Sequence, residues 1–105
     1  NIKDIDGLEI LESPNYANSN YWLNILKIDK NIFGKDVKTI MKKFINNNIL
    51  VRPVWFPNHL QNQYKKNQNF KIKKAIELHS NSICLPSSPS LSKEDLKHIV
   101  NILHG

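Results

Sequence analysis

The stretch YWLNILKI, residues 21–28, carries apolar or aromatic side chains at both odd and even positions. Successive side chains of a strand point to opposite faces of a sheet, so this pattern is typical of a strand that is covered on both sides. Aromatic and β-branched residues also favour strands over helices. We therefore predict a central strand over 21–28.

The residues before this stretch predict a second strand and a loop. Residues 8–12, LEILE, alternate apolar and acidic side chains, which indicates a half-buried strand. Residues 13–20, SPNYANSN, contain a proline, serines and three asparagines, and these residue types favour turns. The two strands are therefore expected to flank a loop at the start of the sheet.

The residues after it predict a helix and then an extended segment. Gly34 is expected to close a turn, and the helix is predicted over 35–47, where apolar residues fall on one stripe: Val37, Ile40, Met41, Phe44 and Ile45. Three asparagines at 46–48 give a plausible stop. Residues 49–55, ILVRPVW, look extended, but Pro53 has no amide proton to donate to a ladder. That strand must lie at an edge or end early.

The last third predicts an irregular stretch, a strand and two helices. Residues 57–70 are irregular or partly helical, 71–79 form a short helix, and 83–85 form a short strand. Ser92 is a suitable N-cap and Asp95 follows three residues later, which approximates a capping box. The final helix carries its apolar residues on one stripe: Leu96, Ile99, Val100 and Leu103.

These elements predict an α+β fold and one domain over residues 1–105. Each helix has a single apolar stripe, which must be covered by another layer. We expect a two-layer sandwich, with a small, mainly antiparallel sheet and helices packed on one face. At 105 residues, the chain has room for one modest core.

Composition narrows the partners and the compartment. The net charge is +6, yet all but one of the 15 basic residues are lysines spread along the chain. An anionic partner such as nucleic acid would favour a clustered basic stripe, so compositional bias is the better explanation. No apolar run approaches the about 20 residues of a membrane span. The single cysteine, Cys84, excludes an intrachain disulfide, fits a reducing cytoplasm and is expected to be a small buried hydrophobe.

The segment RPVWFPNHLQ, residues 52–61, breaks the local rules and is the candidate binding site. Two prolines restrict its backbone, and locally inconsistent stretches tend to be functional. Arg52 offers a planar fork for a carboxylate or phosphate, and Trp55 and Phe56 offer flat faces for a sugar or a base. His59 can donate or accept a hydrogen bond near neutral pH. Each of the four could instead serve only the fold.

Other kinds of site find no support in the sequence. The four histidines lack the i, i+4 pairing and the nearby cysteines of a metal site. The three glycines are too dispersed for a phosphate-binding loop, and no serine elbow or paired-carboxylate signature occurs. We therefore expect no metal ligands and no catalytic residue in this chain.

Three stretches together resemble the C-terminal part of the DegT/StrS family of sugar aminotransferases. SNYWLNILKID at 19–29 is similar to the family's Ser-Asn-x-Trp-Leu entry into a strand. NILVRPVWFPNHLQ at 48–61 resembles its Gly-Ile-x-x-Arg-Pro-x-Trp-x-Pro-x-His pattern, and ICLPSSPSLSKEDLKHIV at 83–100 resembles its Leu-Cys-Leu-Pro-Ser segment and the helix start that follows. The order and spacing hold over about 19–104, and the likeness is greatest to the branch acting on nucleotide-linked 4-keto-6-deoxy sugars.

The resemblance implies an activity that the chain cannot carry alone. Family members use pyridoxal phosphate (PLP), held by a lysine of a large N-terminal domain, to move an amino group from glutamate to a ketosugar. No lysine here lies in the Ser-x-x-x-x-Lys and Gly-rich context that the family uses. The resemblance thus implies a detached C-terminal small domain that binds no cofactor itself and belongs, at full length, to a cytoplasmic homodimer.

The resemblance also assigns the site. Arg52, Trp55, Phe56 and His59 would line the nucleotide-sugar side of a cleft between the two domains. Two positions depart from the family pattern: Asn48 stands where a glycine is common, and Phe56 stands where a lysine is common. Loss of that cation would alter which nucleotide sugar is accepted. The alternative is a free-standing basic domain that binds nucleic acid or a protein partner.

Overall fold

The computed structural model describes residues 1–105 as one four-stranded antiparallel sheet with helices packed against it. The strands are β1 (Leu8–Ile10), β2 (Asn24–Ile28), β3 (Arg52–Pro53) and β4 (Ser82–Leu85), in the order β1-β2-β4-β3. The helices are α1 (Lys30–Phe33), α2 (Val37–Asn46), α3 (Lys74–Asn81) and α4 (Lys93–His104). Short 3-10 turns lie at Ile2–Asp4 and Asn58–Leu60. The α+β sandwich is confirmed.

β2 is central, as predicted, with β1 on one side and β4 on the other. It begins at Asn24 and not at residue 21, because the chain turns just before it. Tyr21 has a left-handed backbone with φ of 52°, and the Trp22 amide donates to the Asn20 side-chain oxygen. Trp22 therefore lies in the loop that leads into the strand.

The register separates the two faces of the sheet. Leu26 lies opposite Ile10 on one side and Ile83 on the other, and Leu8 lies opposite Ile28. These positions face α2 and α4, which supply five further residues of the buried core: Ile40, Phe44, Ile99, Ile102 and Leu103. Val51 and Leu85 complete it. One hydrophobic core therefore fills the space between the sheet and these two helices.

α3 lies beside the opposite face. Side chains alternate along a strand, so Lys27 and Cys84 point away from the core face. His79 of α3 lines a cavity with Cys84, and the pKa of the Glu77 carboxyl is lowered by Lys74 and, more weakly, by Lys27. The packing on one face that the sequence predicted holds for α2 and α4, while α3 covers part of the other face.

The helix ends follow local chemistry. The Asp36 carboxylate accepts from the Thr39 amide at 2.9 Å and caps α2, and a complete capping box between Ser92 and Asp95 begins α4. α4 is rotated slightly from the predicted stripe: Ile102 is buried, whereas Leu96 is 50% exposed. At 100° per residue the buried face is centred near Ile99, which leaves Leu96 at its margin. None of the helices is long and apolar enough to cross a membrane.

β3 confirms the prediction that the strand containing Pro53 lies at an edge of the sheet or ends early. It is an edge strand of two residues, Arg52 and Pro53, paired with Cys84 and Ile83 of β4. The chain then leaves the sheet. The candidate segment, residues 52–61, therefore starts at the edge of the sheet, and its backbone leaves the sheet after Pro53.

Candidate functional site

Residues 54–56 run between two prolines with no backbone–backbone hydrogen bond. Pro53 and Pro57 have no amide protons, and the next such bonds come at the 3-10 turn, where the Leu60 amide donates to Pro57 and the Gln61 amide to Asn58. The segment belongs to neither the sheet nor a helix. Its side chains are presented on a backbone that the prolines restrict.

Arg52, Trp55 and Phe56 line one open cavity of about 450 Å³ on the sheet face opposite the core. Trp55 is 69% exposed and Phe56 is 50% exposed, so neither fills the core. Trp22, 66% exposed, packs edge-on against Trp55 with ring centroids 5.8 Å apart. This aromatic cavity, as we call it, exposes three large rings beside one guanidinium group.

His59 lies in a second cavity of about 450 Å³, which we call the amide cavity. The half-buried His59 is there among side chains that can both donate and accept hydrogen bonds. These are Asn58, Tyr64, Asn67, Gln68 and Asn69. The structure therefore brings three of the four predicted site residues together and places the fourth in a separate concavity.

Two aromatic rings of the aromatic cavity, those of Trp22 and His79, were not predicted to belong to the site. Trp22 was assigned to the central strand, and its position is fixed by the Ser87 hydroxyl, which donates to the Trp22 carbonyl at 2.7 Å. His79 was assigned to the face of a helix. Its Nδ1 lies 2.8 Å from the Val54 carbonyl, and its ring meets Phe56 edge-on at 5.2 Å. Contacts across 25 and 65 residues of chain leave no local signal in a sequence.

The electrostatics of the two cavities favour binding over catalysis. Arg52 is the only permanently charged side chain that lines either of them. Burial raises the pKa of the Cys84 thiol, which keeps it protonated and a poor nucleophile. No group of three histidine, cysteine or acidic side chains lies close enough to hold a metal ion. The arrangement can stack a flat ring, pair with an anion and hydrogen-bond hydroxyl groups.

No lysine lines either cavity, so neither offers an amine for covalent attachment of a carbonyl cofactor. Lys43 is the one lysine whose ammonium is buried without a partner, and its pKa is lowered by burial and by the neighbouring Lys35. It lies on α2, the helix that packs on the other face of the sheet.

Comparisons with known proteins identify the fold and the family. The structure superposes on DesI, solved in the presence of its TDP-sugar product, with a TM-score of 0.85 at 16% identity, covering 97% of this chain and 26% of that one. A DegT DnrJ EryC1 StrS aminotransferase from Brucella abortus gives a TM-score of 0.81 at 20% identity, covering 99% and 26%. At such identities the likeness shows the fold alone.

Sequence comparison identifies the family. EpsN of Bacillus subtilis (strain 168), named as a pyridoxal phosphate-dependent aminotransferase, is 27% identical over 105 residues, which is 94% of this chain and 26% of EpsN. The chain thus spans about a quarter of the length of the relatives it matches. The family model of the DegT/DnrJ/EryC1/StrS aminotransferases matches residues 1–104. Since that match covers nearly the whole chain, this protein belongs to the DegT/DnrJ/EryC1/StrS aminotransferase family.

Proposed function

We propose that this chain is the C-terminal, substrate-gripping small domain of a PLP-dependent aminotransferase. The enzyme would move an amino group from glutamate to a nucleotide-linked 4-keto-6-deoxy sugar. Family membership supports the reaction class, and the likeness to DesI, whose structure was solved with a TDP-sugar product, supports a nucleotide sugar as the substrate class. The observation that carries the proposal is the aromatic cavity, which Arg52 lines together with three exposed rings.

The proposed roles follow from the chemistry of each side chain. Arg52 would pair with the diphosphate, because its planar fork matches two phosphate oxygens. Trp55 and Phe56 would pack against the flat face of the sugar or the base. His59 and the surrounding amides would hydrogen-bond sugar hydroxyls, which need matched donors and acceptors when they are buried.

PLP would be held outside these residues. When bound, it serves as the electron sink for amino transfer. No lysine lines the aromatic or the amide cavity, so neither offers an amine to hold it. We expect the lysine that holds the cofactor to lie in a large domain of the same polypeptide, and this chain alone to be inactive. The complete enzyme would be a cytoplasmic homodimer serving bacterial cell-surface polysaccharide synthesis.

The two cavities do not favour the alternative of a basic domain that binds nucleic acid, because Arg52 is the only permanently charged side chain that lines them. Such a surface would require several cations at one place. Three lysines are instead engaged with acidic neighbours: Lys3 with Glu12, Lys27 with Glu9, and Lys74 with Glu77.

The site assignment is tested with His59→Ala in the aminotransferase that contains this chain. Amino transfer divides into a glutamate half-reaction and a nucleotide-sugar half-reaction, which can be measured separately. Removal of one hydrogen bond to the sugar nucleotide should cost about 1–3 kcal/mol, roughly 5- to 150-fold in kcat/KM for the second half-reaction. The glutamate half-reaction should change by less than about twofold.

The matched control is His98→Ala, because His98 is an exposed histidine on α4 outside both cavities. It should leave both half-reactions and the melting temperature near the parent values. If His59→Ala impairs both half-reactions alike and sharply lowers the melting temperature, His59 is structural and the site assignment fails.

A further inference from the structure

The stretch 54–56 presents Trp55 and Phe56 without any support from the backbone ladder. Residues 54–56 are therefore held in place by contacts with side chains. The Gln61 amide reaches the Phe56 carbonyl only at 3.5 Å, which is the limit of a hydrogen bond. The short contact is the one between His79 Nδ1 and the Val54 carbonyl, at 2.8 Å between half-buried groups. His79 thus makes the one short hydrogen bond to the backbone of this segment.

We propose that His79 is a positioning residue that fixes how the 54–56 segment presents Trp55 and Phe56 to the nucleotide sugar. The proposal rests on the function proposed above and goes beyond it, since His79 lies 23 residues after Phe56 in the sequence. It acts through two contacts that hold different parts of the segment: a hydrogen bond to its backbone and a ring contact with Phe56.

The hydrogen bond determines that Nδ1 of the His79 ring carries a proton. A carbonyl oxygen only accepts, so Nδ1 must carry the proton and donate it to Val54. This donation satisfies a carbonyl that has left the sheet, because β3 ends at Pro53. A half-buried carbonyl without a partner would cost free energy, and the segment would rotate to regain one. Rotation about residue 54 would carry Trp55 with it.

The ring contact holds the next part of the segment. The Phe56 and His79 rings meet edge-on, with 5.2 Å between centroids and 82° between planes. The position of His79 is itself restricted by the fold. α3 runs directly into β4 with no intervening loop, since Asn81 ends the helix and Ser82 begins the strand. The position of His79 is therefore set by the centre of the sheet.

The two contacts can be separated by substitution. His79→Asn retains a side-chain N–H donor near the position of Nδ1 but removes the ring. His79→Leu keeps a similar volume and removes the donor. His79→Gln carries its amide further out, near the position of Nε2, and cannot replace the bond. The matched control is His98→Leu, on an exposed histidine outside both cavities.

The test is the half-reaction kinetics of these variants in the aminotransferase that contains this chain. His79→Leu and His79→Gln should raise KM for the nucleotide sugar and lower kcat/KM of that half-reaction about 10- to 100-fold, as expected for a displaced binding group. The glutamate half-reaction should stay within about twofold. His79→Asn should recover kcat/KM to within about fivefold of the parent. Equal loss in both half-reactions, or no recovery by His79→Asn, would overturn the proposal.

A second measurement keeps this test independent of the proposed function. Trp22 and Trp55 contact each other, so their coupled near-ultraviolet circular dichroism depends on the orientation of Trp55. The difference spectrum between the parent and His79→Leu should match most of the difference produced by Trp55→Phe, and His79→Asn should restore most of the parent signal, because it keeps the hydrogen bond and loses only the ring contact. An unchanged spectrum in His79→Leu would reject the positioning role. Failure of His59→Ala to discriminate the half-reactions would reject only the assignment of His59 to the substrate site.

Discussion

Gly7 and Gly34 show how one residue type can matter for two different reasons. Both have left-handed backbones, with φ of 80° and 77°. A Cβ on Gly7 would lie 2.6 Å from the Phe33 nitrogen, whereas one on Gly34 would meet nothing within 4 Å. Gly34→Ala should therefore cost only the backbone strain, about 1–2 kcal/mol. Gly7→Ala should add an overpacking cost of about 1–3 kcal/mol. Urea denaturation of both variants measures the difference, and equal destabilisation would contradict the contact with α1.

At the same scale, the sequence predicted the site only where its signal was local. Arg52, Trp55, Phe56 and His59 stood out because two prolines and unusual side chains fall within ten residues. Trp22 and His79 gave no such signal, since they join the site through contacts with residues far along the chain. Nor could the sequence show that His59 lies in a separate cavity, because the 3-10 turn after Pro57 redirects the chain.

At the scale of the element, the start of α4 carries a pH-dependent contribution to stability. The Asp95 carboxylate accepts from the Ser92 amide and hydroxyl, and these bonds hold its pKa below the usual range. A lowered pKa means that the stabilisation is present above the ordinary carboxyl range and is lost as the pH falls through the lowered value. Ser92→Ala should cost about 1 kcal/mol at neutral pH.

Urea denaturation at a series of acidic pH values checks whether this stabilisation is lost as the pH falls. The stability gap between the parent and Ser92→Ala should narrow as the pH falls below the ordinary carboxyl range. Ser80→Ala is the control, because the Ser80 hydroxyl donates to the Ile76 carbonyl, which does not titrate in this range. A gap that widens on acidification would contradict the capping-box account.

The boundaries of the elements were predictable where a cap or a proline fixes them. The Ser92 cap and the Pro53 edge strand were both predicted and confirmed. The predicted start of β2 was wrong by three residues. The left-handed backbone of Tyr21 and the turn at Asn20 keep residues 21–23 out of the sheet, although their side chains favour strands. α3 begins at Lys74 and not at residue 71 for a similar reason, since Lys71 has φ of 48°.

At the scale of the whole molecule, the aromatic cavity is an apolar surface without a cover within these 105 residues. Trp22 and Trp55 are the only tryptophans and both are largely exposed, so the tryptophan fluorescence of the chain, excited where tyrosine does not absorb, reports on this surface alone. We expect the emission of the 105-residue chain to be that of indole in water and to be quenched by acrylamide almost as strongly as free tryptophan. Blue-shifted, protected emission would contradict the exposed pair.

The central claim is that the complete enzyme transfers an amino group to a nucleotide-linked ketosugar. The most direct measurement is a single-turnover experiment on the aminotransferase that contains this chain. The enzyme is loaded with amino groups from glutamate, freed of excess, and mixed with a nucleotide-linked 4-keto-6-deoxy sugar. We predict one equivalent of 4-amino sugar per active site and none when the sugar lacks its nucleotide. Transfer to the free sugar at equal rate, or to a simple 2-keto acid alone, would contradict the account.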